Sequence, residues 1–154
     1  MSTEAVKLQG GKELRHLCDE LPKRVRTKAL RQGVSAAATP VVKQLKANTR
    51  RQSGLLKKAE TKKIKTYKGG NTVIAVIGAN RNIAGEYQGR ARVPANYFHL
   101  INDGVAPHGN HPGFAGDHML QHAYDSTKDQ ASTIMLDKLQ TVLEAEAEKL
   151  ANGG

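Results

Sequence analysis

Hydrophobic residues recur at helical spacing over the first third of the chain, between residues 12 and 47. Pro22 suits the first turn of a helix, where its missing N–H costs nothing, whereas Pro40 lies inside the apolar pattern. The spacing predicts a short helix over residues 12–20 and a long one over 22–47, bent or broken at Pro40. The residues spaced by three and four in the second helix are Val34, Ala37, Val41 and Leu45.

The period changes to two in "KKIKTYKGGNTVIAVIG", residues 62–78. Ile64 and Thr66 alternate with lysines, "KGGN" supplies residues that accept positive φ, and "TVIAVIG" is apolar on both faces. This pattern predicts a β-hairpin whose first strand lies at or near a solvated edge and whose second strand is more central. Lysines on the first strand also discourage pairing with other sheet edges.

The second half alternates between loop-like segments and one long helical pattern. Residues 80–95 combine two glycines and three arginines without a period, and residues 105–116 are rich in glycine and proline, so both are expected to be loops. "NYFHLINDG" between them predicts a short strand or helical turn that stops at Asp103 and Gly104. From 117 to 150 the pattern is helical, with Asp117 as the expected N-cap.

Taken together, these elements predict an α+β fold built as a single domain over residues 1–154. Residues 8–48 are helical, 62–104 form sheet and loop, and 117–150 form the last helix. The long N-terminal helices and the long C-terminal helix are expected to pack around a small antiparallel β-sheet with long loops.

Composition and charge point to partners. Hydrophobic residues make up 38% of the chain and aromatic residues 4%, which predicts a thin aliphatic core that neighbouring subunits complete. Residues 1–68 carry eighteen Lys and Arg against five Asp and Glu, whereas residues 69–154 carry six against nine. A basic half suits nucleic acid, and it equally suits the acidic face of another copy. No apolar run approaches the length that crosses a bilayer, so we expect a soluble protein made in a cytoplasm.

The basic residues in and after the first half are the candidates for DNA or subunit contacts. They could hold phosphates as point charges without reading sequence. Tyr67 is the one aromatic among them, which gives little support for stacking on single strands. The candidates are Arg50, Arg51, Lys57, Lys58, Lys62, Lys63, Lys65, Arg81, Arg90 and Arg92.

Four of the six histidines lie in "HGNHPGFAGDHMLQH", residues 108–122. His118 and His122 are spaced by four on a predicted helix, as zinc ligands often are, with His108 and His111 just upstream. The stretch has no glutamate of the HExxH type and no nearby cysteine. Two interpretations therefore stand side by side, a metal site and a set of loop and interface histidines, and the missing ligands favour the second.

Catalytic signatures give little support for an enzyme. "KTYKGGN" is not a phosphate-binding Walker loop, "IGANRNIAG" lacks the dinucleotide-binding spacing, and no Ser–His–Asp or paired-carboxylate arrangement stands out. We therefore assign no catalytic residue, no cofactor and no metal.

Three features taken together resemble a known family. The helical segment ends in "KANTRRQSGLLKKA", which is similar to the "P-x-x-T/S-G-x-L" turn that precedes the sheet in the HK97-type gene product ten family, the neck or tail-completion proteins of long-tailed bacteriophages. A β-hairpin follows, and "NYFHLINDGVAPHGNHPGFAGDHMLQHAYDSTKDQA" is similar to the family's "Y-A-x-x-v-E-x-G-T … P-x-P-F-l-x-x-A" block. The matching positions are Ser53, Gly54, Leu55, Tyr97, Asn102, Gly104, Phe114 and Ala123. Asn102, Val105 and Gly113 replace the family's glutamate, threonine and proline.

The resemblance implies a structural virion protein without catalysis or cofactors. Such proteins form a ring, here most simply a hexamer, in the neck between head-completion (stopper or adaptor) proteins and the tail terminator or tail tube, and genomic double-stranded DNA passes through it. Phe114 would then be an apolar anchor of a segment, 105–116, that packs against another subunit. The alternative that the charge leaves open is a stand-alone basic nucleic-acid-binding protein.

Overall fold

The computed structural model describes residues 11–50 and 54–153. The α+β prediction is confirmed, with long helices near both ends and short paired strands between them. The helices are α1 (Gly11–Glu20), α2 (Lys23–Asn48), α3 (Leu55–Ala59), α4 (Phe98–Asp103) and α5 (Met119–Ala151). The strands are β1 (Glu60–Tyr67), β2 (Thr72–Ala79), β3 (Gly85–Tyr87), β4 (Arg90–Arg92), β5 (Gly104–Val105) and β6 (Phe114–Ala115).

The predicted N-terminal helices are confirmed by α1 and α2, and of the two effects predicted for Pro40, a bend or a break, the break does not occur. Helix α2 continues through Pro40 to Asn48. Buried side chains at Ala38 and Val41 flank the proline, and their packing offsets the backbone hydrogen bond that it cannot make. Among the described residues, no helix is both long enough and apolar enough to cross a membrane.

The chain forms two compact units, to which α2, α5, β1 and β2 each contribute residues. Unit 1 contains residues 11–37, 64–75 and 129–153, and unit 2 contains residues 38–50, 54–63 and 76–128, within the part of the chain that the structure describes. The strands pair as three two-stranded sheets, β1 with β2, β3 with β4, and β5 with β6.

An aliphatic cluster joins α1, α2 and α5 in unit 1. Gly33 lets α5 approach α2 closely, because a β-carbon there would lie 2.9 Å from Cγ of Leu139. Each fully buried aliphatic side chain contributes about 1.5–3 kcal/mol relative to an exposed one. The buried members are Cys18, Ala29, Leu139, Val142 and Leu143, with Leu21, Leu30 and Met135 packed against them.

The turn between β1 and β2 has the positive φ angles that "KGGN" predicted. Lys68, Gly69 and Gly70 have φ angles of 50°, 64° and 100°, and Thr27 Oγ1 donates a hydrogen bond to Gly70 O over 3.3 Å. The more central position of β2 is wrong, because the described residues add no third strand to this sheet. Ile74 on β2 is 40% exposed, so one side of the apolar strand faces solvent.

Both segments expected to be loops contain a short hairpin in unit 2. Strands β3 and β4 pair around Gln88 and Gly89, whose φ angles of 53° and 73° are those of a two-residue primed turn. Strands β5 and β6 pair Gly104 with Ala115. These strands have two or three residues each, too few to show alternation in sequence, and their turns rather than their patterns define them.

Candidate functional site

A cleft of about 430 Å³ in unit 2 brings three of the family-motif positions together. Gly54 enters from the start of α3, Tyr97 from the start of α4, and Phe114 from β6. Leu56 and Ile101 add apolar surface between them. The full lining is Arg50, Gly54, Leu56, Tyr97, Ile101, Phe114, Ala115 and Asp117.

The charged side chains of this cleft, Arg50 and Asp117, form an ion pair at its rim. Arg50 Nη2 lies 3.0 Å from Asp117 Oδ1, with the arginine side chain 80% exposed, so the pair contributes at most about 1 kcal/mol to stability. Burial raises the pKa of the Tyr97 phenol, and the nearby charge of Arg92 acts in the opposite direction. Tyr97 therefore offers the cleft a neutral hydroxyl at physiological pH.

Phe114 is half exposed, and the hairpin that carries it is made of β5 and β6. The side chain has 49% of its surface accessible, so it does not anchor the segment within this chain. Its ring lies edge-on to His111 with centroids 6.5 Å apart. An exposed aromatic on a two-stranded hairpin is a surface feature that a partner could cover.

Asn102 and Gly104 join α4 to the first turn of α5. Asn102 Oδ1 accepts a hydrogen bond of 3.0 Å from the backbone N–H of Leu120, while its carbonyl accepts one of 2.9 Å from His118 N–H. Asn102, and not Asp117, therefore caps α5, and the predicted cap is wrong because the helix begins two residues later, at Met119. Gly104 has φ 84°, and a β-carbon there would lie 2.5 Å from Gly116 N.

Three other motif positions have packing roles or lie outside the described residues. Leu55 packs closely against Gly85, the first residue of β3. A β-carbon on Gly85 would lie only 2.9 Å from Leu55 Cδ1. Ala123 on α5 is fully buried, and its carbonyl accepts a hydrogen bond of 2.6 Å from Thr127 Oγ1. Ser53 lies outside the described residues.

The histidines do not converge. His108 and His111 face each other across the hairpin with rings stacked 5.1 Å apart, and His111 Nδ1 accepts a hydrogen bond of 2.9 Å from Gly113 N–H. His118 precedes α5 and has φ 45°, so it does not share a helical face with His122. In the described ranges, 11–50 and 54–153, no three His, Cys, Asp or Glu side chains lie close enough to hold a metal ion.

Most of the basic candidates are exposed, and two are bound within the chain. Lys62 Nζ donates to Thr39 Oγ1 over 2.7 Å, and partial burial lowers its pKa. Arg50 is the partner of Asp117, and Arg51 lies outside the described residues. The others are exposed and form no ion pair with any described residue: Lys57, Lys58, Lys63, Lys65, Arg81, Arg90 and Arg92.

A second basic surface, in unit 1, was not predicted. Lys23, Arg24, Lys28 and Arg31 line a groove between the first half of α2 and the turn after β1. The helical spacing of "KRVRTKALR" carries the signal, since these four residues fall on one side of a helix. We refer to these residues as the basic groove.

A buried carboxyl was also missed. Glu60, the first residue of β1, is 1% exposed, and its Oε1 lies 2.5 Å from Thr49 Oγ1, which is also 2.8 Å from Leu45 O. The Thr49 hydroxyl has one proton, so Glu60 Oε1 and Leu45 O are alternative acceptors for it. Burial raises the pKa of Glu60, and the Thr49 hydrogen bond only partly offsets this.

Comparison with known proteins gives one family. The family described as "Bacteriophage HK97-gp10, putative tail-component" matches residues 12–104, which run from α1 through α4 to Gly104. No curated protein matches the chain, and no solved structure matches it.

Proposed function

Because this chain belongs to the HK97-gp10-like family of bacteriophage tail components, we propose that it forms a ring in the phage neck. Family membership indicates a place in the virion and contacts with other phage structural proteins. In the proposal, the whole chain acts as one neck domain, most simply six copies per ring, assembled in the host cytoplasm. The ring connects head-completion proteins to the tail terminator or tail tube and surrounds the genomic DNA. The role is structural and involves no catalysis or cofactor.

The observation that carries the proposal is the extent of the family match, residues 12–104. It includes all but the first residue of α1, all of α2, the β1–β2 and β3–β4 sheets, and five residues of the unit 2 cleft lining, Arg50, Gly54, Leu56, Tyr97 and Ile101. The exposed cations of unit 2 support a contact with DNA or with neighbouring subunits. A channel lined uniformly with cations would hold DNA in a salt-dependent way and slow its exit. We therefore propose that some of these cations contact DNA and that the others contact neighbouring subunits.

A phage that lacks this gene tests the proposal. The expected result is DNA-filled heads and separate tails in electron micrographs, with joined particles restored when the wild-type gene is supplied in trans. Infectious, tailed, DNA-filled particles made without the gene would contradict the proposal. A monomer in purified form would not, because a ring of this kind can assemble on its partner.

Phe114 gives the proposal a residue-level test. Phe114→Ala is expected to impair joining of heads to tails and to lower the temperature of thermal unfolding only slightly, because half of the side-chain surface is already accessible in the isolated chain. Tyr124→Ala is the matched control, since Tyr124 is also an exposed aromatic, at 45%. Normal assembly of the Phe114→Ala protein would remove the hairpin from the proposed interface.

The second candidate function is a stand-alone nucleic-acid-binding protein, favoured by the charge of residues 1–68. It predicts submicromolar binding of duplex DNA at physiological salt, with a steep loss as salt rises. The measurement is a fluorescence anisotropy titration at two or more salt concentrations. Binding that is absent or only micromolar at physiological salt would remove this candidate.

A further inference from the structure

The basic groove has more positive charge than unit 1 neutralises. Lys28 Nζ lies 2.5 Å from Glu146 Oε1, and Arg31 Nη1 donates to Thr66 Oγ1 over 2.7 Å. Lys23 and Arg24 are exposed and form no ion pair with any residue that the structure describes. The groove, about 820 Å³ in volume, therefore presents at least two free cations together with the guanidinium of Arg31.

The opposite charge lies on α5 of the same unit. At 100° per residue, Asp137, Glu144 and Glu148 fall within about 40° of one another, and all three are exposed. The side chains that α5 buries, Leu139 and Leu143 among them, point to the other side of the helix. We refer to the three acids as the acidic stripe; none of them forms an ion pair with a described residue.

Pairs of charged residues on the two surfaces have the same separations along their helices. Arg24 and Lys28 are four residues apart, as are Glu144 and Glu148, and this corresponds to about 6 Å along a helix. Arg24 and Arg31 are seven apart, as are Asp137 and Glu144, which corresponds to about 10 Å. Two helices side by side could therefore place a cation beside two of the three carboxylates at a time.

The two surfaces are different parts of one subunit, so their pairing is heterologous. A contact between unlike patches joins copies head to tail, and it produces a closed ring when the rotation between copies closes. Duplex DNA could also occupy the basic groove, but it would leave the acidic stripe without a partner. A second copy accounts for both surfaces at once.

We infer that the basic groove of one copy binds the acidic stripe of the next, and that this contact joins subunits into the ring. The inference rests on the proposed ring and names the surfaces that build it. The occupant of the groove is thus α5 of a second copy of this chain.

Charge reversal tests the contact. Lys23→Glu with Arg24→Glu places acid against acid at every subunit contact, and Glu144→Lys with Glu148→Lys places base against base. Each double variant alone is expected to lose assembly and to fail to restore a phage lacking the gene. Lys12→Glu with Arg15→Glu, on α1 and outside the groove, is the control with the same change in net charge as the Lys23→Glu, Arg24→Glu variant, and it is expected to assemble as wild type does.

Bringing the two reversed surfaces together in one experiment gives the decisive result. The variant with all four reversals is expected to regain assembly, and so is co-expression of the two double variants, because alternating copies again pair unlike charges. Thermal unfolding by circular dichroism checks that each variant is folded. If the fourfold variant does not fold, co-expression of the folded double variants gives the same answer.

Two outcomes would overturn the inference. One is normal assembly of either double variant; if the Lys23→Glu, Arg24→Glu variant assembles but loses duplex binding, the groove is assigned to DNA. The other is failure of assembly both in the fourfold variant and on co-expression of the two double variants, with all proteins folded. In each case the wild-type gene still restores the deleted phage, which separates these outcomes from a failure of the proposed neck function.

Discussion

The contacts inside unit 1 differ in kind from the contacts inside unit 2. Unit 1 excludes water with a continuous aliphatic cluster between helices. Unit 2 also buries apolar side chains, among them Leu45, Met119 and Ala123. It adds single polar contacts and close approaches, such as the Asn102 cap, the Thr49–Glu60 pair and the glycine at 104. Aliphatic packing tolerates exchange of one apolar residue for another of similar size, whereas a cap or a buried carboxyl depends on one atom in one place. Sequence change should therefore be more restricted at these polar and glycine positions of unit 2 than in the aliphatic cluster of unit 1.

The largest expected effect comes from the aliphatic cluster. Leu139→Ala should lower the free energy of unfolding by about 2–5 kcal/mol, because it removes buried methyl groups and leaves a cavity beside Gly33. Leu150→Ala, on the same helix at 56% exposure, should change it by less than about 0.5 kcal/mol. Urea unfolding followed by circular dichroism measures both. Equal effects of the two substitutions would show that the cluster does not hold unit 1 together.

The buried polar pair of unit 2 should produce a smaller effect. Thr49→Val keeps the shape of the side chain but leaves the Glu60 carboxyl without its partner, at a cost of about 1–3 kcal/mol. The control is Thr133→Val on α5, where the hydroxyl is exposed. Urea unfolding again measures the difference, and a neutral Thr49→Val would mean that the carboxyl does not need this contact.

The same pair makes stability depend on pH in a defined direction. Burial raises the pKa of Glu60 in the folded chain above its ordinary value of about 4.3. Between those two values the folded state binds a proton that the unfolded state has released, so stability falls as pH rises through this window. Glu60→Gln, whose side-chain amide does not titrate, should remove this part of the slope. An unchanged pH profile in the variant would contradict a raised pKa of Glu60 in the folded chain.

Long periodic segments were predictable, and contacts made by single atoms were not. Helices α1 and α2 and the strands β1 and β2 follow patterns of several repeats, in which one irregular residue such as Pro40 changes little. Hairpins β3–β4 and β5–β6 have two or three residues per strand, and positive φ angles at Gln88 and Gly89 define the first of them. No period can reveal elements that short.

The candidate site shows the same limit. The family-motif positions Gly54, Tyr97 and Phe114 were named from sequence, and the structure brings them to one cleft. Glu60 was missed because a glutamate that opens an alternating, lysine-rich strand resembles a solvated residue. Its carboxyl accepts a hydrogen bond from Thr49, eleven residues earlier, and neither residue reveals that partnership by its position in the sequence.

The smallest expected effect concerns the cap of α5. Asn102→Ala removes the oxygen that accepts from Leu120 N–H and should lower the free energy of unfolding by about 1 kcal/mol. Asn102→Asp keeps an acceptor and adds a negative charge at a helix N-terminus, where the helix dipole favours it, so it should retain most of the stability. Asn110→Ala, at an exposed turn of the histidine-containing hairpin, is the control. If Asn102→Ala unfolds at the same urea concentration as Asn110→Ala, then α5 takes its cap from elsewhere. The polar contacts of unit 2 would then be less demanding than the comparison with unit 1 implies.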